Sequence, residues 1–257
     1  CRGTALAGLY GVHVPDGVHP LDVVFQRYAG EGKEHVMIAI TKPTLVLDEG
    51  RCKGNIEFMV TKARTHGVEL RPHFKTHQSL TVGRWFKHYG VRKITVSSLE
   101  MAQYFSEEWQ DITVAFPVNI REMDTINDLA QKVCLNLLLE SQETAEFLKR
   151  HLRHPVGIFV KIDVGYHRTG LSPEDRSGME SVLASFAAVD TMPFRGFLAH
   201  AGHAYGCRSR DAVVAIHEEA RKHLTALKAA YLPASPGILT SLGDTPSCVL
   251  AENFEGI

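Results

Sequence analysis

Val133-Cys-Leu-Asn-Leu-Leu-Leu139 and Val156-Gly-Ile-Phe-Val-Lys-Ile-Asp-Val164 are two apolar runs of strand length, and residues 141–152 between them read as a helix. Strands joined by a helical crossover run parallel, because a tight hairpin is missing from the connection. The alternation extends in both directions. Upstream lie strands at Val68–Lys75, Lys93–Ser97 and Ile112–Phe116, with helices over 77–89, 99–108 and 121–131. Downstream lie strands at Phe194–His200 and Gly237–Leu242, with helices over 174–188 and 210–231. Seven such strands without a Gly-x-Gly-x-x-Gly opening predict an α/β fold of the TIM (β/α)8 barrel type, not a dinucleotide-binding sheet. The count is one strand short, so the eighth is expected beyond Ile257. The opening Cys1 and the closing Glu255-Gly-Ile257 also suggest a piece of a longer polypeptide.

Ahead of the barrel, Glu49–His66 is expected as a helix, with Ile56, Met59, Val60 and Ala63 at helical spacing. Thr44-Leu-Val-Leu-Asp48 reads as a strand. Residues 1–43 form a mixed N-terminal extension, with a loop over Gly11–Pro20 and a short helix over 21–28. The chain has 28 basic and 29 acidic residues for a net charge of −1, so no chain-wide field favours nucleic acid or anionic lipid. No apolar run approaches the roughly 20 residues of a membrane-spanning helix. No signal peptide is evident, and a soluble cytoplasmic protein is the expectation. Five scattered cysteines without Cys-x-x-Cys suit reduced thiols.

In Val68-Glu-Leu-Arg-Pro-His-Phe-Lys75, strand alternation points Arg71, His73 and Lys75 into the barrel. An inward lysine at a strand's C-terminal end is costly unless used or paired, and desolvation would lower its pKa as a Schiff-base lysine requires. A salt-bridged interior lysine fits the pattern equally well. His73 and His77 flank it, either as hydrogen-bonding residues at a strand end or, less readily, as metal ligands. Val160-Lys-Ile-Asp-Val-Gly-Tyr-His-Arg-Thr-Gly170 carries a strand into a loop, where Arg168 either holds an anionic group or is a plain surface cation. Gly196-Phe-Leu-Ala-His-Ala-Gly-His-Ala-Tyr-Gly206 sets His200 and His203 at another strand end, as a metal half-site or a stacking and proton-transfer pair. Thr240-Ser-Leu-Gly-Asp-Thr-Pro-Ser247 reads as an anion cradle, with Gly243 permitting an unusual turn and Thr245 capping a helix ahead of Pro246. A capped helix without a ligand reads the same way. An imine lysine, a loop arginine and a late phosphate cradle on one barrel are the parts that pyridoxal phosphate needs.

Arg71-Pro-His-Phe-Lys-Thr-His77 resembles the lysine motif of fold-type III pyridoxal-phosphate enzymes, in the branch of D-serine dehydratases and D-threonine aldolases. Asp163-Val-Gly-Tyr-His-Arg-Thr-Gly170, His200-Ala-Gly-His-Ala-Tyr205 and Ser241-Leu-Gly-Asp-Thr-Pro-Ser247 agree in order and spacing, and Lys42–Asp48 resembles the family's opening segment. The resemblance covers residues 42–257. It implies that Lys75 forms the imine with the cofactor and removes the α-proton. It implies that Arg168 lies near the ring's phenolic oxygen, and that Tyr205 and the Gly243-Asp244-Thr245 turn contact the phosphate. His200 or His203 would lie near the ring, and His73 and Ser241 join the cofactor contacts. Thr44–Asp48 would belong to a second, β domain, with 49–257 as an incomplete barrel. Gln78 stands where relatives commonly carry lysine.

The resemblance also implies a divalent metal, zinc, on ligands of a C-terminal β domain outside this chain, and a homodimer when the protein is full length. The implied activity is dehydration of D-serine to pyruvate and ammonia. Cleavage of D-threonine to glycine and acetaldehyde is the alternative, and a non-catalytic pyridoxal-phosphate homeostasis barrel is the alternative of another class. A histidine-ligated metallohydrolase would need an inward His-x-His on an early strand, which the sequence does not have. The 257-residue piece alone is expected to be inactive and, with open strand edges, poorly soluble.

Overall fold

The computed structural model describes residues 23–26, 41 and 44–257, and it divides into two units, 1–92 and 93–257. The loop expected over Gly11–Pro20 lies outside the described residues.

In the first unit β1 (Val23–Gln26) pairs in parallel with β2 (Leu45–Asp48). Within the stretch 21–28, where a short helix is expected, the described residues Val23–Gln26 form a strand instead, in keeping with their Val-Val-Phe sequence, since β-branched and aromatic residues suit a pleated surface. Asp48 ends β2 and caps α1 (Glu49–Thr65), its carboxylate accepting the Arg51 N–H at 2.9 Å. Ile56, Met59, Val60 and Ala63 are buried on one face of α1, as their spacing predicts. Gly67 then takes a left-handed φ of 66° just past the helix, a conformation that costs glycine little. Ser79 caps α2 (Leu80–His88), which buries Val82 and Phe86.

The expected strand Val68–Lys75 is not formed. Its residues run extended to a single bridge residue, His73, and the chain then tightens into a 3-10 turn at Phe74–Thr76. Pro72 has no N–H to give to a ladder, and the His73 ring accepts the Lys75 N–H at 3.2 Å, which closes the turn. The alternation survives as burial: Pro72 and Phe74 are buried and Lys75 is exposed.

The second unit follows the alternation closely. Its strands are β3 (Lys93–Val96), β4 (Asp111–Pro117), β5 (Cys134–Leu139), β6 (Gly157–Ile162), β7 (Phe194–Ala199) and β8 (Leu239–Leu242). They form one six-stranded sheet in sequence order, every pair parallel. The crossovers are α3 (Leu99–Ser106), α4 (Met123–Lys132), α5 (Gln142–His151), α6 (Arg176–Phe186) and α7 (Arg210–Tyr231), and a short α8 (Thr245–Leu250) follows β8. Ser98, Ser141 and Ser209 cap α3, α5 and α7, each hydroxyl accepting an N–H three residues on.

Both sheet faces are buried, as parallel strands require. Ala115, Leu138, Phe159 and Leu198 cluster on one face. Leu135, Leu137 and Leu139 alternate with them along β5 and are also buried. Gly196 is obligatory at its position: its φ is 137°, and a Cβ there would collide with the Leu239 backbone of the neighbouring strand. No helix among the described residues is long and apolar enough to cross a membrane.

Candidate active site

The loop after β6 is built around one carboxylate. Asp163 Oδ1 accepts the N–H groups of Gly165, Tyr166 and His167 at 3.0–3.1 Å, and Oδ2 lies 3.2 Å from His167 Nδ1. Burial alone would raise the Asp163 pKa; these N–H donors and the His167 charge outweigh it and hold it below the ordinary carboxylate value. The loop folds back on its own strand, since Leu171 donates to Lys161 O and accepts from Asp163 N–H, each at 2.9 Å. Gly170, at φ 110°, permits this, because a Cβ would strike the Ile162–Asp163 backbone. The outcome is an exposed Arg168 whose guanidinium lies 4.9 Å from the Tyr166 ring centroid.

Tyr166 links that loop to the one after β7. Its ring is edge-on to His200 at 5.7 Å and stacked with His203 at 6.3 Å. A Cβ on Gly202 would run into the Tyr166 ring, so this tyrosine fills the space beside the glycine. His200 Nδ1 lies 2.5 Å from the carbonyl oxygen of Gly243. A carbonyl only accepts, so Nδ1 carries the hydrogen of this contact. Tyr205 Oη donates to Thr245 Oγ1 at 3.1 Å and accepts the Thr245 N–H at 3.2 Å. Ser241, half-buried on β8, pairs in register with Leu198 and so shares its face.

Two expectations about the turn at 243–245 are corrected. Gly243 does not adopt a positive φ, so no special glycine conformation shapes the turn. The cap of α8 is Asp244, not Thr245: its Oδ1 accepts the Ser247 N–H at 2.8 Å, and Thr245 is the first helical residue. The longer Asp244 side chain, one residue earlier, reaches the orphan Ser247 N–H, and the sequence pattern Asp-Thr-Pro permits either register.

The sheet also buries a lysine to which no role was assigned. Lys161, 6% exposed, stands beside Leu198 in the β6–β7 register and donates to the Ile162 carbonyl at 2.8 Å. Its pKa is lowered to about 8: burial is the largest cause, the Arg168 charge acts in the same direction, and Asp163 and Glu140 pull the other way. The unfolded chain therefore binds a proton between pH 8 and 10.5 that the folded chain does not. The resulting penalty is fully present below pH 8 and is relieved as pH rises through that window. Lys161→Met is expected to raise stability by about 3 kcal/mol at pH 7 in denaturant titration, with the gain over wild type shrinking toward pH 10.5.

In the first unit Lys75 is exposed on its turn, not desolvated on a strand end as alternation predicted. His77 is a core ring: 5% exposed, packed on Phe74 at 4.5 Å, its Nδ1 accepting the Ser79 N–H at 3.1 Å. Burial lowers its pKa to about 3. With its Nδ1 lone pair committed to a backbone donor, the metal reading of His77 is discarded. Among the described residues no group of three or more His, Cys, Asp or Glu side chains is placed to hold a metal.

Parallel strands whose polar residues gather on the loops at their C-terminal ends define a ligand site of the (β/α)-barrel kind. The family model described as alanine racemase, N-terminal domain, matches residues 47–254, and the chain belongs to that family. D-threo-3-hydroxyaspartate dehydratase of Delftia sp. (strain HT23) is 28% identical over 233 residues, which are 87% of this chain and 60% of that protein. Its solved structure superposes with a TM-score of 0.80, covering 85% of this chain and 59% of that one. D-serine dehydratase of Dictyostelium discoideum is 27% identical over 185 residues, 66% of this chain and 47% of that protein. D-threonine aldolase of Filomicrobium marinum, at 17% identity and TM-score 0.65 over 76% of this chain and 59% of that one, is alike in fold alone. The chain thus spans 60% or less of the length of these curated relatives.

The residues present fit a pyridoxal phosphate. Gly243 is exposed and a Cβ added to it meets nothing within 4 Å, which leaves open space beside the Tyr205 and Thr245 hydroxyls for a phosphate. Arg168 presents a cation over Tyr166, and the Gly243 carbonyl holds the His200 ring.

Proposed function

We propose that the full-length protein is a pyridoxal-phosphate-dependent lyase that dehydrates D-serine to pyruvate and ammonia. The observation that carries this reading is the turn at 243–245, braced by His200 and Tyr205 and left open at Gly243. The names of the two dehydratase relatives support a 3-hydroxy D-amino acid as the substrate class.

In this reading Tyr205, Ser241 and the Gly243–Thr245 turn hold the phosphate. Arg168 sets a positive charge toward the ring's phenolic oxygen, and His73 and Lys75 belong to the motif that attaches the cofactor. Bound pyridoxal phosphate supplies the electron sink for the electrons of the broken Cα–H bond. Lys75 Nζ takes the α-proton. His200 or His203 lies near the ring, and the Nδ1–H bond to the Gly243 carbonyl fixes the orientation of the His200 ring. Loss of the α-proton and the β-hydroxyl removes one water, and hydrolysis of the remaining enamine gives pyruvate and ammonia. The proposal includes a divalent metal, zinc, on ligands outside this chain; the described residues supply no donor set for it, and no step is derived through it.

Product analysis tests the reading on the full-length protein. Pyruvate and ammonia from D-serine are expected. Glycine and acetaldehyde from D-threonine would replace dehydration with aldol cleavage, and cofactor binding without turnover of either would make the protein a binder. Gly243→Val is expected to weaken pyridoxal phosphate binding about tenfold or more by filling the open space, while changing stability by less than about 0.5 kcal/mol. Cofactor titration and denaturant titration of the same variant separate the two effects. Unchanged affinity would move the phosphate elsewhere.

A further inference from the structure

The turn at 243–245 is braced on one side by His200 and Tyr205. Near it lies a set of buried polar atoms that this bracing does not use. Asp244 is 5% exposed, Ser247 1% and His217, on α7, 1%. Asp244 spends Oδ1 on the Ser247 N–H, but its Oδ2 has no hydrogen-bond partner among the described residues. The same holds for Ser247 Oγ and for His217 Nδ1. Burial raises the Asp244 pKa, and the Ser247 N–H and hydroxyl and the His200 and His217 charges oppose it, so the Ser247 and His217 side chains lie close enough to act on the carboxylate although neither makes a hydrogen bond to Oδ2.

The donor count at this cluster is fixed by one contact. His217 Nε2 lies 2.6 Å from the Asn253 carbonyl oxygen, so Nε2 carries a hydrogen and, in the neutral ring, Nδ1 is an acceptor. An ionised Asp244 makes Oδ2 an acceptor as well. Ser247 Oγ–H is a donor. Two acceptors and one donor, all buried, match a single water molecule: it gives one hydrogen to His217 Nδ1, one to Asp244 Oδ2, and accepts from Ser247. We propose that Asp244, Ser247 and His217 enclose one buried water, and that through it His217 acts as a positioning residue for the turn at 243–245. This rests on the proposed function in taking that turn as the phosphate contact. The water ties α7 to the residue that caps α8, so the orientation of Thr245 depends on a helix that does not itself touch the ligand.

Two substitutions at one position separate this role from a structural one. Asn at 217 keeps a polar group near the place of Nδ1 and gives up the Asn253 contact; Gln keeps a donor for Asn253 and gives up the Nδ1 side. In the full-length protein, His217→Gln is expected to weaken pyridoxal phosphate binding about tenfold, the effect of one lost hydrogen bond. Affinity for pyridoxal, which has no phosphate, should be unchanged. His217→Asn should retain most of the phosphate-dependent affinity. Ser247→Ala should resemble His217→Gln, and the double variant should lose little more than either single one, since both act through the same water. The opposite order, with Gln like wild type and Asn impaired, would show that His217 only anchors the Asn253 segment and would overturn the proposal. Equal losses for pyridoxal and its phosphate would overturn it too. Failure of the wild-type protein to bind the phosphate in preference to pyridoxal would instead overturn the functional reading on which it rests.

Discussion

Lys75→Ala in the full-length protein is expected to abolish covalent capture of pyridoxal phosphate and to lower turnover on the order of 10³-fold or more, while leaving the fold intact. The separation of the two effects follows from the turn that carries the lysine. Phe74 is fully buried and packs on His77 at 4.5 Å and Phe86 at 5.3 Å. The backbone around Lys75 is held by the His73 ring on its N–H at 3.2 Å, by Gln78 Nε2 on its carbonyl at 3.3 Å, and by the Gln78 N–H on Phe74 O at 3.0 Å. The side chain itself is exposed. Truncation at Cβ therefore removes no packed core atoms, and stability should move by less than about 0.5 kcal/mol. Loss of visible cofactor absorbance with an unchanged denaturation curve is the expected pair of results. Borohydride reduction of the wild type followed by peptide mapping should place the label on Lys75. Lys161 is the sharp competitor, because burial has already brought its pKa to about 8; a label there would refute the assignment.

The contrast between these two lysines shows how far the sequence could be read. Strand and helix alternation from Lys93 to Leu250 is visible in the residues because most strands are apolar on both faces and several crossovers open on a small polar cap, as at Ser98, Ser141 and Ser209. Alternation also puts Lys161 and Asp163 on one face of their strand. It does not say which charged side chain is dehydrated. That depends on Leu198 from a neighbouring strand and on Glu140 just past the end of β5, and such neighbours are 20 or more positions away along the chain. The reverse failure occurs at Val68–Lys75, where period-two burial is real but the backbone is not a strand. Pro72 and the His73 cap decide the local geometry there, and a hydrophobicity pattern does not register either. Arg168, His200, Tyr205 and Thr245 gather at neighbouring loops as the motifs implied. Tyr166, which stacks beneath Arg168 and fills the space above Gly202, was not singled out. Its only signal was an aromatic residue directly after Gly165 within the Asp163–Gly170 motif.

Acid should destabilise the first unit through a single ring. The unfolded chain protonates His77 at its ordinary 6.5, while burial holds the folded value near 3. A depressed folded pKa means that the unfolded state binds the extra proton in this window. The stability tied to the neutral ring is fully present above pH 6.5 and is lost as pH falls toward 3. The loss amounts to about 1.4 kcal/mol per pH unit, or about 5 kcal/mol across the whole window, which is comparable to the total stability of many domains. Exposed carboxylates also titrate below pH 5, so the wild-type curve alone does not isolate the ring. His77→Asn does: the amide oxygen still accepts the Ser79 N–H that Nδ1 accepts at 3.1 Å, and it does not titrate. The variant starts less stable at pH 7, because the packing of the ring on Phe74 and Phe86 is lost. Its stability should then fall less steeply with acid, so the two denaturation series converge and cross between pH 6.5 and 3. Parallel curves would mean that the ring is solvated or already charged in the folded protein, and that the interior of this turn is not the dry apolar pocket formed by Phe74, His77 and Phe86.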